Sequence, residues 1–130
     1  MTDDTMTIRQ MCDTFSVTPR TLRFYEAKEL LFPIRDGSKR LFTRRDRVRL
    51  TLILRAKRFG FSLEDIRQLL DIYDRDGSDE VQYARIFDLA QERLAVMEAQ
   101  HNDLDAAIAE LKSELAAAAE VMAGFRRAAE

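Results

Sequence analysis

Cysteine, proline and tryptophan are scarce or absent in this chain of 130 residues, which has one cysteine, two prolines and no tryptophan. A single cysteine excludes an intramolecular disulfide and any metal site that needs two thiolates from one chain. No apolar run approaches the roughly 18 residues of a membrane helix, and the first 20 residues are too polar for a secretory signal. We therefore predict a cytoplasmic protein without membrane contact, with room for one ordinary domain and an extension.

Patterns for catalysis and metal binding are also missing. The only histidine is His101, and the many carboxylates form no set that offers a nucleophile, a base and a positioned partner. The sequence has no phosphate-binding glycine loop, no nucleophile elbow and no histidine pair at metal-ligand spacing. We predict that the protein is not an enzyme and has neither a metal site nor a cofactor.

The net charge of −2 conceals two halves of opposite sign. Residues 1–60 contain 14 Lys and Arg against 7 Asp and Glu, whereas residues 61–130 contain 7 against 16. Ten of the basic residues fall within 35–58. A charge run is usually a solvated face, but this one directly follows a helix-turn-helix pattern. It therefore indicates a surface for nucleic acid, whose binding should depend strongly on salt.

The helix-turn-helix pattern lies over residues 8–26. A short helix is predicted over residues 8–15, and the Ser16-Val17 turn joins it to a second helix. Thr18 is a good N-cap for this second helix, and Pro19 suits its first position because the missing N–H has no partner there. Helical spacing places Leu22 inward and predicts three outward side chains: Arg20, Arg23 and Tyr25. This is the arrangement of a recognition helix that enters the DNA major groove.

A β-hairpin is predicted next. Short strands over residues 31–34 and 40–42 flank Asp36-Gly37-Ser38, which has turn chemistry. Basic side chains near its tip indicate a wing that grips phosphates. Thr43 then caps a third helix that runs to about Phe59 and ends at Gly60, and a fourth helix begins after residue 62.

The C-terminal part carries a coiled-coil pattern. From residue 87, core positions recur at alternating spacings of three and four over more than five heptads. Because no second long helix exists in the chain, we predict a homodimer. The predicted dimerisation residues are Leu94, Met97, His101, Leu104, Ile108, Leu111 and Leu115. His101 fits a polar core residue that sets register, with an effector contact or a pH response as the alternative.

Several separated motifs resemble the MerR family of bacterial transcription regulators, in family order. They are Thr7-Ile8, Thr18-Pro19-Arg20-Thr21-Leu22-Arg23-Phe24-Tyr25-Glu26, Leu30-Leu31-x-Pro33, Arg40-x-Phe42, Arg49-Leu50 and Gly60-Phe61-Ser62-Leu63-Glu64-Asp65-Ile66. The resemblance implies a mainly α fold: a winged helix-turn-helix DNA-binding domain with a small β-hairpin wing, here residues 6–76. A long dimerisation helix with a short tail follows over residues 77–130, antiparallel to its copy in the dimer.

The resemblance also implies a function. The homodimer would bind a pseudo-palindromic site in double-stranded promoter DNA, bend and untwist it, and act on RNA polymerase. By position, Arg20 and Arg23 would serve the recognition helix, Tyr25 a neighbouring phosphate and Arg40 the wing. The full set predicted to bind DNA is Thr18, Arg20, Thr21, Arg23, Tyr25, Lys39, Arg40, Arg44, Arg45, Lys57 and Arg58.

Two residues depart from the family pattern. Glu29 stands where the family usually has glycine after the recognition helix, so we expect that helix end to close differently. Ser16 replaces a common turn glycine, which is a milder change.

The effector and one alternative function stay open. Metal-sensing relatives use cysteines near the end of the dimerisation helix, and redox-sensing relatives need several cysteines, but this sequence has neither. That leaves a small organic effector or no effector. The alternative function is a coiled-coil adaptor whose basic head binds protein or membrane.

Overall fold

The computed structural model describes residues 4–74 and 80–130, and it is mainly helical. In chain order its elements are β1 (Met6–Thr7), α1 (Ile8–Phe15), α2 (Pro19–Ala27), β2 (Ile34–Asp36), β3 (Lys39–Phe42), α3 (Arg44–Phe59), α4 (Leu63–Asp74) and α5 (Glu80–Ala129). The chain forms two compact units, Met1–Ile86 and Phe87–Glu130. The domain boundary predicted between residues 76 and 77 lies outside the described residues.

Capping side chains set the starts of the N-terminal helices. The Thr18 hydroxyl accepts a hydrogen bond from the Thr21 N–H at 3.2 Å, and Pro19 occupies the first position of α2. The Thr43 hydroxyl accepts from the Asp46 N–H at 3.2 Å at the start of α3. Each oxygen satisfies a backbone donor that has no partner within its helix. The starts predicted at Thr18 and Thr43 are confirmed.

The ends of α2 and α3 share one hydrogen-bond pattern. After α3, the Phe61 N–H donates to the Ala56 carbonyl and the Gly60 N–H to the Lys57 carbonyl, with Gly60 at φ 87°. After α2, the Leu30 N–H donates to the Tyr25 carbonyl at 2.9 Å and the Glu29 N–H to the Glu26 carbonyl at 2.9 Å. Both are Schellman ends, which need a left-handed residue at the position after the cap.

We expected the end of α2 to close differently because Glu29 replaces a glycine, and this expectation is wrong. Glu29 itself adopts the left-handed conformation, with φ 58°, and closes α2 as a glycine would. Ser16 does the same after α1, with φ 56°. A side chain at such a position crowds the backbone, a strain that glycine does not have.

Glycine at position 29 should therefore stabilise the protein. We expect Glu29→Gly to raise the free energy of unfolding by about 0.5–1 kcal/mol, because the relief of strain exceeds the added entropy of the unfolded chain. Glu29→Ala, the matched control, removes the same charge but keeps the strain. Urea denaturation of both variants checks this, and equal stability of the two would contradict the strain argument.

The sheet has three antiparallel strands in the order β1-β3-β2. The predicted hairpin exists, but its first strand begins later than expected, at Ile34, and Leu31 is buried in the core. Asp36 pairs with Lys39 across a two-residue turn whose first residue, Gly37, has φ 63°. A positive φ at that first position is the requirement of a type II′ hairpin turn. The strand β1 was not predicted, since two residues carry no periodic signal.

The core of the first unit, Met1–Ile86, lies between helices α1 to α4 and strand β3. Its fully buried side chains come from α1 to α4, from β3 and from the segment after α2, namely Met11, Leu22, Leu30, Leu31, Phe42, Leu50, Ile53 and Leu70. Asp46 is also buried, and its Oδ1 accepts a hydrogen bond from the Phe32 N–H at 2.9 Å. This bond ties the start of α3 to the chain between the recognition helix and the wing.

The second unit consists of the long helix α5 from Phe87 onward. The predicted dimerisation positions lie along it, and apart from the half-buried Met97 they are exposed in the single chain. Leu104, for example, keeps 61% of its surface accessible. Within the described residues, no helix is long and apolar enough to cross a membrane.

Candidate nucleic-acid interface

The recognition helix α2 has a buried side and an exposed stripe. Leu22 and Tyr25 are buried, whereas Arg20, Arg23 and Phe24 are exposed at spacings of three and four residues. Such spacing places these three side chains on one face of a helix. The two arginines form no hydrogen bond or ion pair with any other described residue, so their guanidinium groups are available to a ligand.

The outward orientation predicted for Tyr25 is wrong. Its side chain is only 3% exposed and belongs to the core, because Tyr25 lies three residues after the buried Leu22 and shares its face. Phe24 takes the outward place instead, with 44% of its surface exposed and the Lys28 Nζ 5.7 Å from its ring centre. Its spacing of four residues from Arg20 was the signal that could have identified it.

Two threonines mark the start of α2. The hydroxyls of Thr18 and Thr21 lie 2.9 Å apart and hydrogen-bond each other, and Thr18 is exposed. The cap thus occupies part of their hydrogen-bonding capacity. Each hydroxyl oxygen can still take part in a second bond at the exposed helix end.

Among the described residues, β2 and β3 of the wing carry one unpaired cation, Lys39, and two that form ion pairs, Arg35 and Arg40. Lys39 is exposed beside the Gly37-Ser38 turn. Arg40, on β3, donates from its Nε to the Glu26 Oε1 of α2 at 2.7 Å, and its side chain is only 21% exposed. Arg35 reaches the same oxygen at 3.5 Å. Glu26 was not among the residues predicted to bind DNA, because its contact with Arg40 spans 14 positions of sequence.

The basic residues of α3 divide in the same way. Arg44, Lys57 and Arg58 are exposed and form no ion pair with any residue in the described parts of the chain. Arg45, which we predicted as a DNA contact, is exposed but forms an ion pair with Asp74, with its Nη2 2.9 Å from the Asp74 Oδ2. Lys57 and Arg58 lie in the last turn, where positive charge also favours the helix dipole.

One basic residue of the run is buried. The Arg49 side chain is 4% exposed and donates to the Leu30 carbonyl at 2.8 Å and to the Asp74 Oδ2 at 2.7 Å. Its guanidinium also lies 5.2 Å from the centre of the Phe32 ring. Arg49 therefore connects α3, α4 and the segment before the wing, and it belongs to the scaffold.

Cys12 on α1 and His101 on α5 are the one cysteine and the one histidine of the chain. Burial, with a smaller effect of Asp13, raises the pKa of the half-buried Cys12 thiol, while Arg23 acts to lower it. His101, on α5, lies 3.5 Å from Asp105. Among residues 4–74 and 80–130, no three His, Cys, Asp or Glu side chains are grouped so that they could hold a metal ion.

Comparisons with known protein families and structures agree with this geometry. Residues 6–72 match the family described as "MerR HTH family regulatory protein", and residues 47–113 match "MerR, DNA binding". The chain is 37% identical over 108 residues to the HTH-type transcriptional regulator ZntR of Escherichia coli K12, covering 82% of this chain and 70% of ZntR.

Two solved structures are also similar. The first is HiNmlR, a MerR family regulator lacking the sensor domain, bound to promoter DNA. It is 32% identical in sequence, and the match covers 85% of this chain and 78% of HiNmlR, with a TM-score of 0.51. The second is the Ralstonia metallidurans CH34 regulator PbrR691 in complex with lead(II), which is 24% identical in sequence. The match covers 82% of this chain and 85% of PbrR691, with a TM-score of 0.61. At that identity, PbrR691 supports the fold alone.

These matches decide between the two functions left open by the sequence. They are to transcription regulators, one of them on promoter DNA, and they give no support to the coiled-coil adaptor. The family match covers more than half of the chain. The chain therefore belongs to the MerR family and is a DNA-binding transcription regulator.

Proposed function

We propose that the protein reads a pseudo-palindromic promoter site as a homodimer, with the exposed stripe of α2 in the major groove of each half-site. The observation that carries this proposal is the pair of unpaired, exposed arginines, Arg20 and Arg23, on that stripe. MerR regulators act as dimers. A two-fold symmetric dimer presents two such helices and thus matches inverted half-sites.

The side chains have separate roles in this proposal. Arg20 lies at the second position of α2, where a side chain reaches base edges, and Arg23 contacts either a base or a phosphate. Phosphates are bound by exposed cations around the helix, Lys39, Arg44, Lys57 and Arg58, and by the hydroxyls of Thr18 and Thr21. Arg40 and Arg45 contribute from within their ion pairs with Glu26 and Asp74.

The C-terminal helix supplies the dimer contact in this proposal. The exposed apolar positions of α5 recur at coiled-coil spacing, and a second copy of α5 in antiparallel orientation would cover them. Membership of the family further supports a dimer that bends and untwists the promoter and thereby acts on RNA polymerase.

For the effector, we propose a small organic molecule, or no effector, and not a soft metal ion. The single cysteine lies on α1, is half-buried and has a raised pKa, which disfavours the thiolate that a soft metal needs. We also place the protein in the cytoplasm, where promoter DNA is found, and infer that it has no catalytic activity.

Arg20→Ala tests the reading of bases. We expect it to weaken binding to the operator by about 1–3 kcal/mol while binding to a scrambled duplex changes little, because only the operator offers the base partner. Lys39→Ala is the matched control: it should weaken both duplexes alike and flatten the salt dependence by about one unit. Titration of both variants against both duplexes at several salt concentrations provides the measurement. Equal losses on the two duplexes for Arg20→Ala would overturn the base-reading role.

A further inference from the structure

Glu26 occupies an unusual place for an acidic residue at a DNA-binding surface. It lies in the recognition helix, and its carboxylate points to the wing, where Oε1 accepts from the Arg40 Nε at 2.7 Å and lies 3.5 Å from the Arg35 Nη1. Its own side chain is only 24% exposed, so this contact is partly shielded from water. A carboxylate close to DNA opposes binding by simple electrostatics. Its presence there therefore calls for a compensating role.

The wing itself creates a need for this carboxylate. Arg35 and Arg40 are directly opposite each other in the β2–β3 ladder. Like charges in that position repel and destabilise the hairpin. Within the described residues, Glu26 is the one carboxylate that forms an ion pair with either arginine. It therefore relieves the repulsion and fixes the hairpin to α2 at the same time.

The geometry of Arg40 leaves part of its guanidinium unused. Its Nε is engaged by Glu26, whereas neither terminal nitrogen forms a hydrogen bond within the described chain. A guanidinium is planar and rigid, so an acceptor at Nε fixes the direction of the remaining N–H groups. Phosphate binds such a fork of donors well.

We propose that Glu26 is a positioning residue: it holds Arg40 by Nε so that the terminal nitrogens meet a DNA phosphate, and it makes the recognition helix and the wing bind the duplex as one rigid element. This inference rests on the proposed function, since it needs α2 to lie in the groove. It gives Arg40 a prearranged phosphate contact and gives Glu26 a favourable effect on DNA binding that is opposite to the effect of its charge.

The first test is whether Glu26→Gln strengthens or weakens binding to operator DNA. Loss of a negative charge alone should strengthen DNA binding and leave the salt dependence unchanged or steeper. The proposal predicts the opposite: operator affinity falls about tenfold, as for the loss of one charge-assisted hydrogen bond, and the salt slope flattens by about one unit. Thermal unfolding in the absence of DNA reports any general loss of stability. If Glu26→Gln binds operator as tightly as the original protein or more tightly, the proposal is overturned.

A double-mutant cycle with Arg40→Ala separates positioning from a general structural role. We expect the tenfold loss caused by Glu26→Gln to disappear in the Arg40→Ala background, because the side chain that Glu26 positions is then gone. Arg35→Ala is the matched control, since Arg35 contacts the same oxygen at a longer distance and is half exposed; its coupling to Glu26 should be under about threefold. Additive losses for Glu26 and Arg40 would overturn the proposal. Where Glu26→Gln lowers the thermal midpoint enough to reduce the folded fraction, Glu26→Asp keeps the charge and shortens the reach, and it should show the same loss.

Arg20→Ala, measured on the same duplexes, distinguishes failure of the positioning role of Glu26 from failure of the proposed DNA reading by α2. An operator-specific loss for Arg20→Ala with additive Glu26 and Arg40 variants refutes the positioning role alone. Equal losses for Arg20→Ala on operator and scrambled DNA refute the proposed reading by α2, whatever the outcome of the cycle.

Discussion

Replacement of Leu104 by glutamate should convert the dimer into monomers. Leu104 lies in the middle of the apolar stripe of α5 and is 61% exposed in the single chain, so a second copy is what would bury it. A glutamate there would place a charge inside the interface, at a cost of about 3–5 kcal/mol for each uncompensated buried group. Sedimentation at micromolar concentration should show a monomer, and operator affinity should fall by roughly 100-fold because two linked half-sites no longer bind together.

Ala106→Glu is the control for this experiment. Ala106 lies on the same helix but two positions after Leu104, outside the three-and-four spacing, and is exposed. This variant should remain dimeric and should bind operator normally. A dimeric Leu104→Glu variant, or an original protein that sediments as a monomer, would contradict the proposed interface.

Asp74→Asn should cause the largest loss of stability among the charged residues. Asp74 is the carboxylate partner of the buried Arg49, at 2.7 Å, and it also forms an ion pair with Arg45 at 2.9 Å. Removal of its charge leaves the Arg49 guanidinium buried with the Leu30 carbonyl and the Phe32 ring as its remaining contacts. Because Asp74 itself is partly exposed, we expect a loss of about 2–3 kcal/mol, somewhat below the cost of breaking a fully buried pair.

Asp71→Asn is the matched control, three residues earlier on α4. Asp71 is exposed and forms no ion pair in the described parts of the chain, so the same change of charge should shift the free energy of unfolding by less than about 0.5 kcal/mol. Urea denaturation of the two variants gives the comparison. Equal stability of Asp74→Asn and Asp71→Asn would show that Arg49 does not depend on this carboxylate.

Local chemistry explains which features could be predicted from sequence. The threonine caps, Pro19 and Gly60 act within one helical turn, so α1 and α3 lie where expected and α2 begins at the predicted residue. The stripe of α5 is likewise periodic along the chain. The left-handed conformation of Glu29 was missed, because a glutamate rarely adopts it unless the surrounding fold imposes it.

Features that depend on distant residues were not predictable. The bond between Glu26 and Arg40 spans 14 positions and that between Arg49 and Asp74 spans 25, and neither leaves a pattern in the sequence. The sequence therefore predicts one continuous basic surface, although Arg49 is part of the scaffold and Arg40 and Arg45 form ion pairs. The prediction that Tyr25 points outward was wrong for a different reason. Its burial follows from the spacing of three residues to Leu22, whereas the prediction placed Tyr25 outward together with Arg20 and Arg23.

Selection of binding sites from a random duplex library shows whether a symmetric dimer reads DNA through α2. We expect enrichment of one sequence with two inverted half-sites, and we expect the preference for one base in each half-site to be lost with Arg20→Ala. Enrichment of a single half-site, or of no sequence at all, would contradict this expectation.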